Sequence, residues 1–402
     1  MKKFIIISTI LILLAGGAFG YSLYHYLGIM QAEKALADAE AATAETQQEQ
    51  EEAATEAENL SQTASAGGIF SAYEQNAKDY VQNLSTEQMV GQLLLGVCSD
   101  TDDAKTDITR YSLGGFLFTD SNFYDMGEGE VKDFVSSVKE AAKIAPICAV
   151  REEGGYNTTF PQMGWSSPRN YYESGGMDAV KTAENEKAET LASMGFNLNL
   201  APVVDMPEDY NQIMYSRSLS SDPNTVSAYA DYVTKTSQGK GVSVALKHFP
   251  GYGTIPDTTD SIVVDTRDAK TIMDNDSKPF KTGINAGAHF VMVSNVVVQN
   301  MDSGHTAALS STIHSVLREE MGFTGVIITD TLDETDYSDY SDGHKTAVQA
   351  ILAGNDMMIV KDYETAYTDI LAAVNDGTIS KDILTSKCEK VIAYKYANGL
   401  MS

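Results

Sequence analysis

VSVALKHFPGYGTIPDTTDSIVVD, residues 242–265, decides how the chain is read. A β-branched apolar run, VSVAL, passes directly into Lys247 and His248, then into a Pro-Gly breaker and a loop dense in Thr, Asp and Gly. A buried strand that ends in polar side chains and an irregular loop is the usual construction of a site on a rigid scaffold. GVIITDTL, residues 325–332, repeats the design and ends in Asp330. Polar residues at one strand end can simply cap a buried strand; at two strand ends they suggest one shared mouth.

Working outward, apolar strand-like stretches recur at 91–98, 114–119, 145–150, 196–205, 242–249, 287–296, 325–332 and 356–360. Amphipathic stretches such as AENEKAETLASMG and STIHSVLREEMG separate most of them. Near-continuous apolar strands with helical spacers predict an α/β fold, a parallel (β/α)8 TIM-type barrel over residues 69–402. A doubly wound open sheet gives the same alternation, but the dinucleotide-binding glycine pattern is missing after the first strand. In a barrel the polar strand ends, Asp205, Lys247, His248, Asn295 and Asp330, all face one mouth.

The 402 residues carry 56 Asp and Glu against 28 Lys and Arg, a formal charge of -28, which argues against a nucleic-acid partner. Residues 1–30 differ from the rest. Lys2 and Lys3 precede FIIISTILILLAGGAFGYSLYHYLGIM, an apolar run long enough to cross a bilayer core of ~30 Å. A single-pass cell-membrane anchor is expected, its basic end inside and the barrel on the extracellular side. A cleaved signal peptide is the alternative, with Ala18, Phe19 and Gly20 at a plausible cleavage site. Residues 31–68, rich in Ala, Glu and Gln, read as a helical or disordered stalk. Cys98, Cys148 and Cys388 are far apart in sequence, with no metal-site spacing and no disulfide framework, and read as buried thiols.

KHFPGYG with DTTDS shortly after, NLNLAPVVDM, SRSLSSDP, LREEMGFTGVIITDTL and AGNDMM resemble, in order and spacing, the barrel domain of glycoside hydrolase family 3. The nearest resemblance is to single-barrel bacterial β-N-acetylhexosaminidases that act on cell-wall fragments and chitooligosaccharides. It implies a retaining glycosidase of terminal β-linked sugars with a carbohydrate substrate and no cofactor. Asp330 falls on the family's nucleophile, while Lys247, His248 and Arg217 fall on residues that hold sugar hydroxyls. Such groups suit a ring whose hydroxyl bonds strengthen as oxocarbenium character develops.

Several positions depart from the pattern. The family's acid/base His in an Asp-Ser-His triplet is Ile262 of Asp260-Ser261-Ile262, and isoleucine transfers no proton. The His of the Pro-Gly-His-Gly turn is Tyr252, the Asp of the D-x-E-G-G sugar-binding loop is Arg151, and the His after the sixth strand is Asn295. Arg151 and Asn295 remain candidates for substrate binding. Either the donor has moved, with Asp257 and Asp260 as the nearest candidates, or the barrel is catalytically weakened and binds glycan or an envelope protein through the same mouth. An acidic metal-binding surface at 333–342, DETDYSDYSD, is a third reading, but its D-x-x-D-x-x-D spacing lacks the alternating oxygen ligands of an EF-hand loop, and no required metal is expected.

Overall fold

The computed structural model describes residues 68–212, 214–253 and 262–402. The expected anchor at 1–30, the stalk up to residue 67, and both Asp257 and Asp260 lie outside them. Eight parallel strands form the barrel: β1 (Leu94–Val97), β2 (Gly115–Phe118), β3 (Ile147–Val150), β4 (Leu198–Asn199), β5 (Ser243–Phe249), β6 (Phe290–Val293), β7 (Val326–Thr331) and β8 (Met357–Val360). They are neighbours in chain order, and β1 closes on β8 with Leu94 paired to Met358. Each apolar stretch contains one barrel strand. Nearly every strand residue is buried, as expected where helices cover one face of the sheet and side chains fill the other.

The expected strand at 196–205 is far shorter, only Leu198–Asn199. Proline has no N–H to donate, so Pro202 interrupts the ladder. Pairing resumes one residue later, where Val203 bridges Lys247 and the Val204 N–H donates to the Lys247 carbonyl at 2.9 Å. A separate pair, Val264–Asp265 with Val297–Val298, lies outside the barrel sheet.

Helices follow the strands and take their starts from local capping. Asp222 accepts the Thr225 N–H at 2.8 Å and Pro223 opens the helix Pro223–Gly239, a start that suits the missing N–H and preset φ of proline. The final helix, Lys381–Ala397, closes the end at which the strands begin. Its Tyr394 ring packs edge-on to Phe290 at 4.6 Å, and its hydroxyl lies 3.0 Å from Ser243 Oγ at the start of β5. Lys395, fully buried, donates to Gln92 Oε1 at 2.6 Å and to the Gly114 carbonyl at 3.0 Å, and burial lowers its amine to about 7. That end is therefore a sealed plug, and the opposite end is left for chemistry. The three cysteines are buried and free. Among the described residues no helix is long and apolar enough to cross a membrane.

Candidate active site

At the C-terminal ends of the strands the structure brings together Arg151, Glu153, Asp205, Arg217, Lys247, His248 and Asp330. A shared cluster of contacts and charges links them. Asp330 stands near the end of β7, its side chain 23% exposed, with Oδ1 accepting the Thr331 N–H at 2.8 Å. Burial opposes its ionisation. The charges of Arg151 and Lys247 and the Thr331 N–H outweigh that, so the carboxyl is held below the usual aspartate range. This setting keeps the carboxyl ionised at neutral pH.

Lys247 and His248 occupy β5 and are almost wholly buried. Lys247 Nζ contacts Glu153 Oε1, and Arg217 grips the same carboxylate with two prongs, Nε to Oε2 at 2.8 Å and Nη2 to Oε1 at 2.7 Å. One carboxylate thus faces two cations. Burial works against the charge of Glu153, but Arg217 and Lys247 hold it well below the usual carboxylate range. Burial dominates for Lys247, whose amine falls to about 8 despite the pull of Glu153. Glu153 is the residue that sequence reasoning missed. The signal was a pair of glutamates ahead of Gly154 and Gly155 just past a strand end, a place where a backbone turn can send a carboxylate inward.

Its neighbour Glu152 does different work. Its buried carboxylate accepts from Thr158 Oγ1 and from the N–H groups of Gly154, Thr159 and Phe160, so it knits the loop after β3 and presents Glu153 and Arg151. Asn199, at the end of β4, fixes the base of this loop by exchanging two hydrogen bonds with the Glu152 backbone, both at 2.9 Å.

Asp205 orients His248. Its Oδ2 lies 2.7 Å from Nδ1 and 3.2 Å from the His248 N–H, while Oδ1 accepts the Tyr252 N–H at 2.6 Å. On the other side, Arg217 Nη2 lies 3.4 Å from His248 Nε2. A guanidinium only donates, so Nε2 accepts, Nδ1 carries the proton, and the ring is the neutral tautomer. Tyr252, which stands where the resemblance led one to expect a His, is buried with its ring edge-on to His248 at 5.6 Å. Arg267 steadies this turn, donating to the Gly251 carbonyl at 3.1 Å while paired with the buried Asp265 and Asp276.

Asn295, just past β6, donates Nδ2 to the Thr331 carbonyl at 2.8 Å, next to Asp330, and its buried Oδ1 has no partner among the described residues. An orphaned acceptor at this depth is a place for a ligand hydroxyl or N–H. Ile262 is half-buried and packs against the apolar core, so it contributes no polar atom to the mouth. The acidic stretch 333–342 turns several carboxylates onto backbone: Asp333 accepts the Lys361 and Asp362 N–H groups, and Asp336 accepts that of Ser338. Tyr337 from this stretch is buried, and burial together with the Asp330 charge pushes its phenol up. Among the described residues no group of three or more His, Cys, Asp or Glu side chains is arranged to hold a metal ion.

A closed (β/α)8 barrel with an ionised carboxylate at a strand end, ringed by Arg, Lys and His, defines the class of barrel enzymes that act at the C-terminal mouth. The profile described as the glycosyl hydrolase family 3 N terminal domain matches residues 85–394, and the chain belongs to that family. It is 32% identical over 253 residues to a β-hexosaminidase of Xylella fastidiosa, covering 60% of this chain and 74% of that one. A family 3 β-N-acetylglucosaminidase from Paenibacillus superposes with a TM-score of 0.73 at 24% identity, covering 79% of this chain and 63% of its own. A β-N-acetylhexosaminidase from Beutenbergia cavernae gives 0.65 at 26% identity, covering 78% of this chain and 99% of its own. The chain is therefore β-hexosaminidase-like in sequence and fold.

Proposed function

We propose that the protein is a retaining glycoside hydrolase of terminal β-linked sugars in which Asp330 is the nucleophile. The observation that carries this is Asp330 itself, an ionised carboxylate at a barrel strand end beside Arg217, Lys247 and His248. Asp330 attacks the anomeric carbon, the glycosidic bond breaks toward the leaving oxygen, and water later cleaves the glycosyl ester. Arg217 and Lys247, fixed by Glu153, and His248, fixed by Asp205, hold ring hydroxyls in place. The proton for the leaving group comes from the loop that carries Asp257 and Asp260. The apolar run at 4–30 supports an anchored protein with its barrel on the extracellular side, where cell-envelope glycans are the substrate at hand.

The test is turnover of aryl β-N-acetylglucosaminide, β-glucoside and β-xyloside by the purified full chain and by Asp330→Asn. The reading expects release by the wild type on at least one of them and a fall of ~10³-fold or more in the variant. Ile262, where a proton donor is expected, favours a second reading, a barrel that binds glycan without cleaving it. Wild type and Asp330→Asn equally inert on every glycoside, with both binding glycan in calorimetry, would establish that second reading.

A further inference from the structure

The mouth holds three cations, Arg151, Arg217 and Lys247, and three carboxylates, Glu153, Asp205 and Asp330. With His248 neutral, the site is balanced at rest. The partners are not equally committed. Arg217 and Lys247 share Glu153, and Asp205 is engaged with His248 and the Tyr252 N–H. Arg151 alone lacks such a tie. Its guanidinium lies 3.6 Å from Asp330 Oδ1, beyond hydrogen-bond length, donates no hydrogen bond to any described residue, and is 35% exposed. Five N–H donors in a planar fork therefore stand at the rim of the mouth, ion-paired with Asp330 but with their hydrogen bonds unspent.

Chemistry at Asp330 upsets the balance. The ring gains positive charge in the transition state, and once the ester forms the negative charge of Asp330 is gone. In the ester the ring is neutral again, so with a neutral sugar Arg151 is left without its one ion-pair partner among the described residues, and a partly buried charge without a partner is costly. A ring that brings its own carboxylate restores the balance and satisfies the fork with the bidentate geometry that arginine favours. We propose that the sugar taken at this mouth carries a carboxylate, and that Arg151 is the residue that selects it. The inference rests on the reading of this mouth as a sugar site, and it names the substrate class as carboxylated pyranosides rather than neutral ones. A hexuronic acid and a lactyl-bearing amino sugar share that chemistry.

The test is calorimetry of the purified full chain with methyl β-glucuronide, methyl N-acetyl-β-muramide and methyl N-acetyl-β-glucosaminide, with aryl glycosides of the same sugars assayed in parallel. At least one carboxylated sugar is expected to bind about tenfold or more tighter than the neutral one, the advantage of a charge-assisted pair, and the ratio should shrink as salt is raised. Which of the two carries the preference identifies the source of the carboxylate. Arg151→Gln should collapse the ratio toward unity and Arg151→Lys should keep part of it. Equal or tighter binding of the neutral sugar, no binding of either carboxylated sugar, or a ratio unchanged in Arg151→Gln overturns the inference. The two readings fail separately. Preference for the carboxylated sugar without turnover refutes hydrolysis alone, whereas turnover of neutral glycosides with no preference refutes only the role of Arg151.

Discussion

Replacing Glu153 by Gln tests the electrostatic frame of the mouth. Its carboxylate is buried, grips Arg217 at 2.8 and 2.7 Å and contacts Lys247, so the substitution leaves two buried cations facing a neutral amide. Breaking a buried pair costs ~3–5 kcal/mol. Lys247 limits the damage: its amine is already lowered to about 8, and without Glu153 it sheds its proton at neutral pH. Arg217 cannot, because a guanidinium stays charged. The net expectation is about 3 kcal/mol, or roughly 4 °C in Tm for a barrel of this size. Lys247→Met should behave oppositely. It leaves Arg217 and Glu153 paired one to one and removes an amine whose fall from 10.5 to about 8 amounts to at most about 3 kcal/mol.

The sign with pH follows. Because the folded value of Lys247 is the lower one, the unfolded chain binds the proton more readily, and stability rises with pH between about 8 and 10.5. The penalty is fully present below that window, so Lys247→Met should be neutral to stabilising at pH 7 and should flatten the rise above pH 8. Glu153 has the usual carboxylate sign: its contribution is present above ~4.3 and is lost as pH falls through its lower folded value. Circular-dichroism melts at pH 6, 7.5 and 9.5 read all three proteins. A Glu153→Gln melt within about 1 °C of wild type, or a Lys247→Met melt below that of Glu153→Gln at pH 7.5, would refute the shared-carboxylate account.

If one loop carboxyl is the donor, Asp257→Asn or Asp260→Asn should slow glycosides with poor leaving groups by ~10²-fold or more while sparing activated aryl glycosides, and azide should rescue only the donor variant. Arg151 helps hold Asp330 ionised, so Arg151→Gln raises the aspartate value and should move the acidic limb of the kcat/KM profile upward in pH; an unmoved limb would show that Arg151 does not act on Asp330. Arg267→Met leaves Asp265 and Asp276 buried without their guanidinium and loosens the Gly251 turn. A loss of ~3 kcal/mol in urea denaturation is expected, partly recovered by adding Asp276→Asn, and failure of that second change to recover stability would contradict the network.

The arrangement of the barrel was written in the order of the sequence. Eight apolar runs separated by amphipathic spacers leave few ways to bury every strand on both faces, and each run holds one strand of the closed sheet. Lys247, His248 and Asp330 were legible for the same reason: a polar residue at the end of an apolar parallel strand is carried to one end of the barrel. Arg217 and Arg151 came from the resemblance and not from any periodicity.

What the sequence could not supply was pairing across elements. Glu153 sits among acidic residues in an irregular loop, and nothing local distinguishes it from Glu152. Only the folded chain gives Glu152 to backbone N–H groups of its own loop and Glu153 to Arg217 and Lys247, which lie 64 and 94 positions further along. The tautomer of His248 likewise follows from Asp205 on one side and Arg217 on the other. Strand number and direction are set by short-range pattern because burial and hydrogen bonding act residue by residue. Which charges meet is set by tertiary structure, because loop backbones place those side chains and their attraction is strong only once the surrounding barrel has excluded water.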